Sequence, residues 1–128
     1  RLARVVREVK HIKPGMHVYF HSDGNVEAII PDLLEAGVDI LNPVQPECMD
    51  PEKIKQRFGG RLTLWGTGSL QRTLPFGSEA DVRAEVRERI RTCGENGGLV
   101  LMPSNVVGFD VPLKNLLAYY DEALTFRR

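Results

Sequence analysis

The feature that most constrains this chain is an alternation, four times over, of a short apolar run, a turn and an amphipathic segment. After the Pro14-Gly15 break, Met16 to Phe20 read as a strand. Asn25 then opens a helical segment through about Ala36, with Val26, Ile29, Ile30, Leu33 and Leu34 on one face and Pro31 tolerable in its first turn. Gly37 is the expected stop, and Val38 to Leu41 form the second strand. Asp50-Pro51-Glu52 supplies a capping side chain and a first-turn proline for a helix carrying Ile54 and Phe58, which stops at Gly59-Gly60. Leu62 to Trp65 make the third strand. Ser78, with Asp81 three residues on, starts a helix that buries Val82, Val86 and Ile90. Leu99 to Met102 form the fourth strand, and Pro112 starts a last helix whose predicted core face is Leu113, Leu116, Leu117, Tyr120 and Leu124. Ahead of all this, Leu2, Val5, Val6, Val9 and Ile12 share one face of a helix with no capping residue before it. A chain opening inside a helical pattern is expected to be cut from something longer.

Alternation of this kind implies an α/β fold with a parallel sheet and crossover helices. Two architectures fit: an open doubly wound sheet, or four βα units forming half of an eight-stranded (β/α)8 barrel. On the first strand, Met16, Val18 and Phe20 share an apolar face, while His17, Tyr19 and His21 share a face with polar tips. A doubly wound sheet wants both faces apolar, whereas a barrel puts helices outside and a mixed lumen inside. The half-barrel is favoured. Residues 1–128 then form a single domain, and four units leave two open sheet edges, so closure by a homo-oligomer or by a separate N-terminal half is expected.

Composition excludes several partners. The 17 basic and 17 acidic residues cancel, which removes any electrostatic pull toward nucleic acid or an anionic membrane. No apolar run approaches the roughly 20 residues of a membrane span. Cys48 and Cys93 lack metal-ligand spacing, so free thiols in a reducing cytoplasm are expected, with Cys93 and His11 at the surface or a helix end.

The stretch His21-Ser22-Asp23-Gly24-Asn25 lies at the C-terminal mouth of the first βα unit, where α/β folds bind ligands. An imidazole and a carboxylate two residues apart make an acid/base pair or part of a metal site; Asp23 as a plain helix cap is the competing structural reading. Glu47, in the Pro-flanked second loop, is a candidate third ligand or substrate contact. Gly66-Thr67-Gly68-Ser69 presents backbone N–H groups that can cradle an anion, and Gln71 and Arg72 follow it toward a substrate carboxylate. Tyr19 lines the lumen near the substrate, and Trp65 is either core or pocket wall.

His21-Ser22-Asp23-Gly24-Asn25-Val26, Asp39-Ile40-Leu41-Asn42-Pro43-Val44-Gln45-Pro46, Leu74-Pro75-Phe76-Gly77, and Pro103-Ser104 with Asp110-Val111-Pro112 together resemble the uroporphyrinogen decarboxylase superfamily. The order and spacing carry the resemblance from about Pro14 to Leu124. It implies the C-terminal half of that family's barrel, so that the four strands resemble strands five to eight. It also implies one of two activities on a small-molecule substrate: cofactor-free decarboxylation of a tetrapyrrole, or zinc-dependent methyl transfer between corrinoid proteins and thiols. His21 matches the strand-five histidine ligand of the methyltransferases, and Asp23 stands where their cysteine would be. Asn105 occupies the strand-eight position that is Cys in methyltransferases and His in decarboxylases. By resemblance, then, His21, Asp23 and Asn105 form the catalytic set, and a divalent metal such as zinc at His21 and Asp23 is the cofactor to look for. The family's substrate-gripping acid and arginine belong to the N-terminal half, which this chain is expected to lack. A corrinoid-binding or receiver-type flavodoxin-like domain is disfavoured: the first wants Asp-x-His-x-x-Gly, and the second an Asp at Trp65-Gly66.

Overall fold

Parallel backbone pairing fixes the architecture. The structure is a computed structural model that describes residues 1–126. Helix α1 (Leu2–Ile12) leads into strand β1 (Tyr19–His21), a 3-10 turn (Glu27–Ile29) and helix α2 (Ile30–Glu35). Then come β2 (Ile40–Asn42), α3 (Pro51–Phe58), β3 (Thr63–Trp65), the short α4 (Thr73–Phe76), α5 (Glu79–Cys93), β4 (Leu99–Val100) and α6 (Leu113–Thr125). The strands pair in chain order, β1-β2-β3-β4, every pair parallel. This is half of a (β/α)8 barrel. No helix among the described residues is long and apolar enough to cross a membrane.

The first three strands start later than the apolar runs do, while β4 starts with its run at Leu99 and stops at Val100. Val18 still serves the ladder through its carbonyl, which accepts from Asp39 N and Ile40 N. The caps behave as their chemistry dictates: Asp50 accepts from the N–H groups of Glu52 and Lys53, and Ser78 with Asp81 closes a full capping box. Asn25 takes the N–H of Glu27, but the segment after it is a 3-10 turn, and the α-helix begins only around Pro31. Pro31 therefore sits in the first turn, where its missing N–H costs nothing.

Two apolar clusters fill the space between sheet and helices. Ile30, Leu41, Ile54 and Leu64 centre the first, under α2 and α3. Leu74, Val82, Val86, Ala118 and Tyr119 centre the second, between α4, α5 and α6. Cys93 is fully buried in the first cluster rather than at the surface; it closes α5 on that helix's inner side, and burial pushes its thiol pKa up. Both cysteines are free.

Helix α6 departs from the face its apolar residues suggest. It buries Asn115, Ala118, Tyr119 and Glu122, and leaves Leu113, Leu117, Tyr120 and Leu124 exposed. Glu122 and the amide nitrogen of Asn115 find partners, while Asn115 Oδ1 is buried without one. Glu122 accepts from Arg87 at 2.8 Å and Arg83 at 3.4 Å on α5. Asn115 donates through Nδ2 to the carbonyls of Leu74 (2.9 Å) and Gly77 (2.8 Å), which ties α6 to α4. Helix α1 shows the same inversion: Val6 alone is buried, against Gly37, while Leu2, Val5 and Ile12 face out. The apolar stripes thus lie on the two end helices, beside the two open sheet edges.

Asp39 locks α1 onto the sheet. Its Oδ1 meets Lys10 Nζ at 2.8 Å and its Oδ2 accepts the Val18 N–H at 2.7 Å. Burial disfavours its charge, but the Lys10 ammonium and the Val18 N–H outweigh that and hold its pKa below the ordinary aspartate value. A depressed native pKa stabilises the fold above the unfolded value near ~4, and the gain is lost as pH falls through the native value. Asp39→Ala is expected to cost about 1–2 kcal/mol at neutral pH and to flatten the acid limb of a urea-derived stability profile. Asn115→Ala strands two carbonyls in the core and should cost about 2–3 kcal/mol, read as a lowered urea midpoint with unchanged m-value.

Candidate functional site

At the ends of β1 and β2 the register sets His21 beside Asn42, so both side chains share the lumen face. Three residues singled out from the sequence come together there. His21 Nε2 lies 3.8 Å from Asp23 Oδ2, and Asp23 Oδ1 accepts from Asn105 Nδ2 at 3.1 Å. Asp23 sits on the loop after β1 and Asn105 on the loop after β4, so the loops that follow the two edge strands meet over the mouth. Asp23 caps no helix; neither the 3-10 turn nor α2 has a side-chain cap, and Asn25 only accepts the Glu27 N–H. Asn105 also accepts the Val106 N–H through Oδ1, which fixes its own loop. His21 and Asp23 are both open to solvent, as groups that meet a substrate must be.

Asn42 joins this set without having been singled out. It is only 6% exposed, and its Oδ1 faces Tyr19 Oη at 2.5 Å and His21 Nδ1 at 2.7 Å. A polar residue at the C-terminal end of a strand, on the lumen parity, was the sequence signal that marks it. Tyr19 packs edge-to-face on Trp65 with ring centroids 5.2 Å apart, so Trp65 is a wall of the lumen rather than part of the outer core.

The remaining candidates sit elsewhere. Glu47 takes the Ser69 hydroxyl hydrogen bond, and its Oε2 is buried without a partner. In the Gly66–Ser69 turn, Gly66 N donates to Val100 O, Gly68 N to Met102 O and Ser69 N to Glu85 Oε1. These N–H groups are spent inside the fold, which removes the anion cradle. The glycines answer to space instead: a Cβ on Gly68 would meet the Tyr119 ring and hydroxyl at 2.9 Å, and one on Gly66 would meet Asn42 Nδ2 at 2.9 Å. Arg72 is exposed, and its backbone N–H goes to Ser69 Oγ.

A metal finds few donors. Among the described residues no three His, Cys, Asp or Glu side chains converge on a point. His21 and Asp23 supply one nitrogen and one carboxylate, short of the three or four protein ligands that a zinc site takes, and Asn105 is a weak addition. The arrangement of this chain alone suits proton handling better than metal holding.

No curated protein matches the chain. Among solved structures it is similar to a methyltransferase from Methanosarcina mazei, at 25% sequence identity and a TM-score of 0.72, over 98% of this chain and 34% of that one. The chain thus spans about a third of that methyltransferase's length. Residues 1–125 match the family description Uroporphyrinogen decarboxylase (URO-D). The chain belongs to the uroporphyrinogen decarboxylase family.

Proposed function

We propose that this chain carries the acid/base half of a uroporphyrinogen decarboxylase-type active site, which removes a carboxylate from a tetrapyrrole-type or other carboxylated small molecule. The observation behind the reading is the convergence of His21, Asp23 and Asn105 at the barrel mouth, with the His21 side chain half exposed. Loss of CO2 leaves an electron pair on the substrate carbon, and a proton must arrive there to complete the exchange. A protonated His21 donates that proton from Nε2, and Asp23 stabilises the imidazolium while it waits. Asn105 holds Asp23 at the right side of the mouth and offers a hydrogen bond to a substrate carboxylate.

Methyl transfer is the second reading, favoured by the similarity to the Methanosarcina mazei methyltransferase. A zinc or other divalent metal at His21 and Asp23 would then need further ligands from outside this half. In either case four more βα units must close the barrel, from a separate N-terminal half or from a second copy. Supporting this are the open edges of β1 and β4, the apolar stripes on α1 and α6, and the chain's span of a third of its structural relative. The two free thiols fit a cytoplasmic setting.

His21→Ala is expected to lower turnover of the completed barrel by about 10²–10⁴-fold while leaving its thermal midpoint in place, because the ring is half exposed. Labelled CO2 release and methyl transfer to a thiol, assayed in parallel, separate the two chemistries; full activity in both assays after the substitution sinks the site. Sedimentation of the chain alone should show self-association at micromolar concentration, and a clean monomer would rule out closure by a second copy.

A further inference from the structure

We propose that Asn42 is a positioning residue that sets the tautomer of His21, so that every proton the ring exchanges passes through Nε2. This rests on reading His21 as the acid/base group and adds to it the atom that acts and the residue that chooses it.

The argument starts from the amide itself, whose two ends look alike in shape but not in hydrogen bonding. Asn42 Nδ2 lies 3.3 Å from the backbone carbonyl of Trp65, which can only accept. Turning the amide over would set two oxygens against each other there, so the orientation is fixed by the β3 backbone. The other end, Oδ1, must then accept from both neighbours. Tyr19 donates its hydroxyl at 2.5 Å, and His21 Nδ1 at 2.7 Å has to carry a hydrogen, since two lone pairs cannot share that distance.

With Nδ1 committed, Nε2 holds the lone pair of the neutral ring and the exchangeable proton of the charged one. Nε2 is the atom that faces Asp23 across 3.8 Å at the mouth. A free imidazole side chain leans the other way, toward the form protonated at Nε2. Asn42 reverses that preference by burial and geometry: it is 6% exposed, so water does not compete for its oxygen.

Gly66 belongs to the same device. It has φ +75°, and a Cβ there would stand 2.9 Å from Asn42 Nδ2 and 3.2 Å from Pro103 O. Any side chain at this position would press on the amide that holds the ring. The glycine that looked like part of an anion-binding turn instead keeps open the slot for Asn42.

The test is the tautomer, read by long-range ¹H–¹⁵N correlation on ¹⁵N-histidine protein at a pH where the ring is neutral. The chain has three histidines, and His21→Ala assigns the signal. In the native chain the form protonated at Nδ1 should dominate by about tenfold. Asn42→Leu should move the population toward the form protonated at Nε2. Asn42→Asp, which keeps an acceptor in place, should hold it at Nδ1, and so should Tyr19→Phe. A purely structural role for Asn42 would leave the tautomer unmoved in Asn42→Leu, and that outcome overturns the proposal. A native ring protonated at Nε2 overturns it as well, without need of any variant, should Asn42→Leu fail to fold. Failure of the catalytic reading is separate: a tautomer set as described, with turnover unharmed in His21→Ala, would keep the clamp and remove its use in catalysis.

Discussion

The register between β1 and β2 is the constraint on which the rest of the structure depends. Pairing Tyr19 with Ile40 and His21 with Asn42 puts the imidazole, the phenol and the amide on one face, and Phe20 and Leu41 on the other. Side chains alternate along a strand, so a slip of one residue would send His21 into the helical layer and Phe20 into the lumen. Asp39, just before β2, guards against that slip: it accepts the Val18 N–H and holds Lys10 of α1 at the same time. One carboxylate thereby couples the register of the first two strands to the seating of the helix that precedes them.

Much of this could be read from residues alone, and the reasons are local. The Asp50-Pro51 start of α3 and the Ser78/Asp81 box of α5 are short-range hydrogen-bonding solutions, complete within four residues. The alternation of strand and helix fixed the sheet as parallel, and the parity of His17, Tyr19 and His21 pointed to a lumen. His21, Asp23 and Asn105 were legible as a set only through family resemblance, because 82 positions separate the last two. Asn42 was quoted in a motif and passed over, since a single asparagine before a proline reads most simply as a turn residue. Its role exists only where three strands lie side by side. The same limit applied to Gly66 and Gly68, where a Gly-rich turn suggested a ligand and the close approach of Asn42, Tyr119 and the Pro103 backbone was the cause.

The misread face of α6 teaches something different. Periodicity finds the most apolar side of a helix and assumes that the chain itself covers it. Here the intrachain contact goes to the side carrying Asn115, Ala118, Tyr119 and Glu122, where Asn115 Nδ2 is spent on two carbonyls and Glu122 on two arginines. The greasier stripe is left at the sheet edge, as is that of α1. For the end units of a repeating fold, the strongest hydrophobic face need not be the face that the unit's own neighbours bury.

The Asn105–Asp23 contact has a kinetic side as well. It spans 82 residues and joins loops that follow the two edge strands, whereas His21 and Asn42 are joined through adjacent, directly paired strands. Closing the longer loop carries the larger entropic cost and relies on the curvature of the whole half-barrel. A splaying of the edges therefore parts Asp23 from Asn105 while the imidazole stays held by its amide. The site thus rests on two contacts of unequal closure cost: an imidazole seated on directly paired strands, and a link across the mouth that depends on the curvature of all four.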